Sequence, residues 1–286
     1  MKYRIRRAVL SIVILLAFYG WLSWNAMEQE QKNNFYEKVI IIIALVVLTI
    51  LVILIFVGFQ KLHIKSIINY YRSYYYKQKK ISYKKMVSDK GAFGEYQVCE
   101  KLKCYLNQGA KLVLNAFIPK ENGETSEVDI AMICSKGIFV FESKNYKGWI
   151  FGSKESGVWC QTLPSKTDAQ KEYFLNPFVQ NRGHIKALKD YVGQDIPMIS
   201  VIAFSDDCVL KNDIDLLSGS DDEYVTYYSG VASMVQLIID KGIDCSMSED
   251  NINCLYDKLY VCTQVDEATK QQHIADVKNH TLKRSK

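Results

Sequence analysis

The run VIIIIALVVLTILVILIFVGF, residues 39–59, contains twenty-one residues without a single charge. Backbone placed in hydrocarbon must satisfy its own hydrogen bonds, which confines a lone segment of this kind to helix. At 1.5 Å per residue it measures about 31 Å, the thickness of a bilayer core. A second run, AVLSIVILLAFYGWLSW at 8–24, has seventeen uncharged residues and carries Trp21 and Trp24, rings suited to the interface. Two transmembrane helices joined by the polar loop 25–38 are expected, a membrane hairpin over 1–60. Lys2, Arg4, Arg6 and Arg7 precede the first, and Lys61, Lys65, Arg72, Lys77, Lys79, Lys80, Lys84 and Lys85 follow the second. The positive-inside rule then keeps both termini cytoplasmic in a multi-pass protein of the cell membrane. Signal-peptide cleavage after Trp24-Asn25-Ala26 is disfavoured by the bulky Trp. Even if it occurred, residues from 60 onward would remain in the cytoplasm.

Residues 61–90 form a basic, tyrosine-rich juxtamembrane segment, with six tyrosines between Lys65 and Lys85. It reads either as a surface for anionic lipid or nucleic acid, or as a stop signal continuing the second helix. Charge divides the chain at about this point. Residues 1–90 hold 15 Lys and Arg against 4 Asp and Glu, leaving 21 against 27 for 91–286. The acidic remainder lacks the character of a tight non-specific nucleic-acid binder. A substrate groove would have to be local, built from residues such as Lys144, Lys147, Lys154 and Arg182.

Within that remainder, DIAMICSKGIFVFESKNY (129–146) reads as two apolar strands around a tight turn. Strand residues two apart share a face, so Glu142 and Lys144 project side by side. A two-residue turn at Lys136-Gly137 would set Asp129 opposite Lys144 and Ala131 opposite Glu142. Two carboxylates and an ammonium would then converge within roughly 5 Å. Paired carboxylates hold a hard cation such as Mg2+ (or Mn2+), and a lysine beside it can orient an attacking water. The plainer reading is an ion pair at a solvated strand end, since Glu30-Gln31-Lys32 and Asp276-Val277-Lys278 repeat the acid-x-Lys spacing elsewhere.

Further pieces accompany the triplet in a fixed order: GAFGE at 91–95, EVD at 127–129, GIFVFESKNYKGWIFG at 137–152, Trp159, and NPFVQN at 176–181. In these motifs the chain resembles the nuclease-related domain family, a branch of the PD-(D/E)XK nuclease superfamily. It departs from the superfamily's name in one respect, with Val128 where proline would precede the aspartate. The resemblance implies a restriction-endonuclease-like α/β core (a mixed central sheet flanked by helices), a divalent metal, and cleavage of nucleic acid. It places Glu95 at the metal site or beside it, against the plainer role of an acid in a helix first turn. It places Gln180 at the site, against a surface amide. Asp129 and Glu142, with the Ser143 carbonyl, are the expected Mg2+ ligands, and Lys144 the residue that positions water. Glu127 is a reserve ligand, and His184, four residues from Gln180 on one helix face, reads as structural or substrate-facing.

The rest of the chain alternates strand and helix signals, ending in helical pattern from Ser248 to Lys283. The expected layout is a nuclease-related core at 91–205 and an α/β completion with helical C-terminal extension at 206–286. Eight cysteines lack any CxxC pair, which excludes a recognisable zinc or redox motif, and no P-loop or dinucleotide fingerprint is present. The expected function is a membrane-anchored, metal-dependent nuclease facing the cytoplasm, with DNA preferred over RNA. The alternatives are a non-catalytic module binding nucleic acid or protein at the membrane, and a membrane scaffold assembled through its tyrosine-rich segment.

Overall fold

The computed structural model describes residues 2–163, 170–211 and 222–284. The chain divides into two compact units, Met1–Ile67 and Ile68–Lys286. In the first, helix α1 (Lys2–Ala26) is followed by α2 (Gln29–Arg72), and Trp24 meets Phe35 and Tyr36 edge-on at 5.3 and 4.9 Å. Among the described residues one helix is long and apolar enough to cross a membrane, the stretch Gln31–Arg72 of α2. The expectation of two spans is corrected. Within α1 the apolar stretch Ser11–Ala26 covers sixteen residues, about 24 Å of rise against a core of roughly 30 Å.

The second unit is built on a five-stranded sheet in the order β1-β2-β3-β7-β9. Its strands are β1 (Lys111–Pro119), β2 (Thr125–Cys134), β3 (Gly137–Lys144), β7 (Met198–Phe204) and β9 (Glu223–Tyr227). The first three pair antiparallel, whereas β3, β7 and β9 run parallel. This is the mixed sheet flanked by helices that was expected. β7 is buried along its whole length, consistent with its unbroken apolar sequence in the sheet interior. A smaller sheet, β6-β5-β4-β8, was not anticipated as a layer. It comprises β4 (Gly148–Phe151), β5 (Val158–Leu163), β6 (Gln170–Leu175) and β8 (Cys208–Lys211).

One face of the large sheet packs on α5 (Lys90–Lys101), α6 (Lys103–Leu106) and α8 (Val231–Asp240). The other packs on α7 (Pro177–Val192) and α9 (Glu249–Val261), and α10 (Glu267–Arg284) completes the helical C-terminal region. Local chemistry starts these helices where polar caps stand. Asp89 accepts from Ala92 N–H at 3.1 Å, Asn176 from Phe178 N–H at 2.9 Å with Pro177 in the first turn, and Ser248 from Asn251 N–H at 3.2 Å.

The tyrosine-rich segment is part of this core. After α2 it forms the short helices α3 (Tyr74–Lys79) and α4 (Tyr83–Ser88). Tyr70 and Tyr75 are fully buried among Val98, Leu102 and Phe139, with Tyr74, Tyr76 and Tyr83 packed beside them. Tyr74 donates to the Leu112 carbonyl at 2.9 Å and Tyr70 to that of Ile81 at 2.8 Å. The compact unit therefore starts upstream of Gly91. Most of these rings face protein.

Candidate functional site

The hairpin at the centre of the sequence has the expected two-residue turn, displaced by one position. Cys134 pairs with Gly137 and Ala131 with Val140, so Ser135-Lys136 forms the turn and the register continues to set Asp129 opposite Glu142. The expected Asp129–Lys144 pairing is corrected by one step of two residues, a shift that by itself exchanges no side chain between faces. Gly137 is not a turn residue but the first of β3. Its φ of 121° is left-handed, and a Cβ there would lie 2.4 Å from the Pro197 carbonyl oxygen, where Ile138 N–H also bonds. Contact with the strand entering from Pro197 thus requires glycine at this position.

At the end of β3, Lys144 Nζ lies 2.7 Å from Glu142 Oε1 and 2.9 Å from Gln180 Oε1 on α7. His184, one turn beyond Gln180, has Nε2 3.2 Å from Glu142 Oε2 while its Nδ1 meets Ser126 Oγ at 2.8 Å. Charge proximity and hydrogen bonding disagree here. The His184–Glu142 contact is close, yet neither Glu142 Oε2 nor His184 Nε2 has a hydrogen-bond partner. The two atoms are close but poorly oriented, which leaves a buried carboxylate oxygen with an open acceptor. Asp129 Oδ2 accepts from Ser143 N–H at 2.9 Å, fixing the aspartate at the edge of the same group.

Glu95 reaches the site from α5 through a second network. Asn115 Nδ2 donates to Glu95 Oε1 at 2.9 Å and to Glu127 Oε1 at 3.1 Å, and Tyr75 donates to Glu95 Oε2 at 3.0 Å. Lys79 Nζ donates to Asn115 Oδ1 at 2.6 Å, and His273 on α10 lies 3.8 Å from Glu127. Asn115 has φ 49°, a conformation Asn tolerates better than most residues. The strands change face at this point: Leu114 and Ile130 face the α5 side, while Ala116 and Val128 face α7. Strict period-two alternation, on which the placement of Glu127 beside Asp129 depended, fails here. Tyr75, Lys79 and Asn115 were missed by sequence reasoning. Asn115 alone carried a signal, as an Asn interrupting an apolar strand.

Electrostatics separates the acids. Burial, then Glu142 and Glu95, pushes the Asp129 carboxyl well above its usual range, against the pull of Lys144 and the Ser143 N–H. Burial acts the same way on Glu142, but Lys144 and then His184 outweigh it and hold that carboxyl below its ordinary value. Burial would lower the Lys144 ammonium; Glu142, followed by Asp129, raises it instead. Glu95 is raised by burial, partly offset by Lys79, Asn115 and Tyr75. The arrangement thus crowds negative charge that one lysine neutralises only in part.

Could this set hold a divalent cation? Among the described residues no group of three or more His, Cys, Asp or Glu is arranged to hold a metal. Mg2+ asks for less, taking one or two carboxylates and keeping several waters. Hard oxygen donors, mutual repulsion between Asp129 and Glu142, and the open acceptor of Glu142 fit such an ion. The basic residues expected to line a groove are mostly engaged. Arg182 Nη2 and Lys154 Nζ both lie 2.8 Å from Glu223 Oε2, and Lys147 is 3.5 Å from Asp207 in an exposed pair.

Several motif residues prove architectural. A Cβ on Gly94 would lie 2.4 Å from the Tyr228 hydroxyl and 2.7 Å from Ser143 Oγ, so glycine lets α5 approach β3. On Gly152 it would enter the Trp159 ring, which stacks at 5.9 Å on Phe204. Asn176, fully buried, ties the carbonyls of Ser153, Lys154 and Ser156, and Asn181 ties Val140 O to Ser200 Oγ.

Residues 90–205 match the nuclease-related domain family. An uncharacterized protein of Bacillus anthracis is 31% identical over 194 residues, covering 68% of this chain and 86% of that protein. No solved structure matches the chain.

Proposed function

The chain belongs to the nuclease-related domain family, and from that premise we propose that it is a metal-dependent nuclease anchored by α2 with its catalytic unit in the cytoplasm. The observation that carries the reading is the group of buried Glu142 and half-buried Lys144 at the end of β3 with half-buried Asp129 on β2, joined by Gln180 and backed by Glu95. Asp129 and Glu142, with the Ser143 carbonyl, would hold Mg2+ or Mn2+. Such an ion supplies charge neutralisation on a phosphate and acidifies a bound water. Lys144, kept protonated by Glu142, donates hydrogen bonds. It therefore orients the attacking water and offsets phosphate charge, and is not the proton acceptor. Gln180 holds the ammonium toward Glu142, and Glu95 adds negative charge behind Asp129. As the water oxygen bonds to phosphorus, the bond to the leaving ester oxygen breaks, and the proton lost by the water passes through solvent to that leaving oxygen. The lysines and arginine after residue 60 support the cytoplasmic assignment. DNA is the preferred substrate in this reading.

One observation favours the non-catalytic alternative: Glu142 Oε1 already lies 2.7 Å from the Lys144 ammonium, and Oε2 lies 3.2 Å from the His184 ring. The deciding experiment uses the full chain in detergent, offered DNA and RNA with Mg2+ or Mn2+, beside Asp129→Asn and Glu142→Gln. Metal-dependent cleavage lost in both variants establishes the enzyme. Absence of both cleavage and metal binding in the wild-type chain selects the binding module.

A further inference from the structure

The small sheet turns much of one face to solvent, with Thr162 buried within it, and the composition of that face is unlike the rest of the acidic unit. Pairing sets Trp149 opposite Val209 and Thr162, Thr162 opposite Lys171, and Cys160 opposite both Phe151 and Tyr173, with Phe151 also opposite Lys211. Residues opposite one another across strands share a face, so these side chains stand together. The opposite face carries Ile150 and Trp159 into the core. On the outer face Trp149 is 48% exposed and Tyr173 68%. Its charged residues are Lys171 and Lys211, with no acid at any of its paired strand positions. Lys211 Nζ lies 5.3 Å from the Trp149 ring centroid.

We infer that this face is a docking platform for single-stranded nucleic acid, serving the site proposed above and resting on that proposal. Two exposed rings on different strands, separated by two strand spacings and a two-residue offset, stand about 12 Å apart. Rings so placed stack on unpaired bases, which any sequence supplies, while lysines among them meet phosphates. A duplex keeps its base faces stacked internally and cannot use them. A base settling on Trp149 displaces the Lys211 ammonium from the ring and frees it for the adjoining phosphate. The chain reaches this face directly from the site, since β4 begins four residues after Lys144.

The test is binding of a fluorescent oligothymidylate and of a duplex of equal length to the full chain in detergent. EDTA is present, so that no cleavage occurs. The double variant Trp149→Ala, Tyr173→Ala should lose about tenfold or more in single-strand affinity. Duplex affinity should change little, and Trp149→Phe should retain most of the single-strand binding. Both positions are exposed, and an unchanged circular dichroism spectrum checks the fold. Unchanged single-strand affinity in the double variant overturns the inference, as does an equal loss for duplex. A change of oligomeric state with unaltered oligonucleotide affinity also overturns it and assigns the face to a second copy. The two readings fail separately. Binding lost in the double variant while the wild type never cleaves sustains the platform without the nuclease; metal-dependent cleavage with unchanged affinity does the reverse.

Discussion

Replacing the two buried tyrosines of the segment 61–90, Tyr70 near the end of α2 and Tyr75 in α3, one at a time, tests whether that segment belongs to the folded unit. Tyr75 is fully buried and its hydroxyl bonds Glu95. Truncating a buried aromatic to alanine costs about 3–5 kcal/mol, and leaving Glu95 Oε2 without that donor adds about 1–3 kcal/mol. Tyr75→Ala should therefore cost about 4–8 kcal/mol, a large part of the 5–15 kcal/mol that a domain has in total. Tyr75→Phe keeps the ring and loses only the hydroxyl, for about 1.5–3 kcal/mol if Glu95 is charged and about 1 kcal/mol if it is protonated. Tyr70→Ala should fall in the same range as Tyr75→Ala. Tyr71, one residue along and 43% exposed, is the internal control, with an expected cost of about 1 kcal/mol or less. The assay is urea unfolding of the full chain in detergent, followed by tryptophan emission in a variant with Trp21, Trp24 and Trp149 replaced by Phe, so that the signal comes from Trp159, which is buried in the same unit. Equal midpoints for Tyr70→Ala, Tyr71→Ala and Tyr75→Ala would refute the assignment of these rings to the core.

Gly94→Ala should destabilise by about 1–3 kcal/mol and lower activity as well, because the added methyl displaces Ser143 beside the candidate site; thermal melting and turnover check the two effects together. In cleavage assays, Glu142→Gln should reduce the rate by about 10²–10³ or more, and because it weakens the 2.7 Å contact to Lys144 it should also cost about 1.5–3 kcal/mol in urea unfolding. Glu223 is held below its ordinary value, since Arg182 and Lys154 outweigh burial. Its contribution to stability is thus complete above the unfolded value near 4.5 and is lost as pH falls through the folded one. Unfolding at a series of pH values should show Glu223→Gln less stable than wild type at neutral pH, with the difference shrinking below about pH 4.5. A chain beginning at Gly91 should be insoluble or unfolded by circular dichroism, because it lacks Tyr70, Tyr75 and Met86, whereas one beginning at Ile68 retains the compact unit.

Much of the site was legible because its ingredients are local. Glu142 and Lys144 share a face by strand period alone, and Asn176-Pro177 announces the helix that brings Gln180 to them. The turn showed its length but not its place, since Ser135, Lys136 and Gly137 all suit turns. What Gly137 serves is contact with Pro197, sixty residues away. Tyr75 and Lys79 gave no sign of their role. A tyrosine-rich basic stretch after an apolar helix has an adequate explanation at the membrane surface, and only packing shows that its rings fill a core. Lys154 and Arg182 looked free because nothing in their neighbourhood names Glu223 as their partner.

The sequence by itself determined what length, period and residue type can determine: a helix long enough for a bilayer, a mixed α/β unit, and an acid–lysine pair on one strand face. Tertiary structure decided which strand ends meet. It set Asp129 opposite Glu142, turned β1 and β2 over at Asn115, and drew Lys79 and Tyr75 against Glu95. Backbone preferences act over a few residues and leave their mark in every short window. These contacts join positions up to 36 residues apart in the chain, and their free energy exists only when the whole sheet and its helices are assembled.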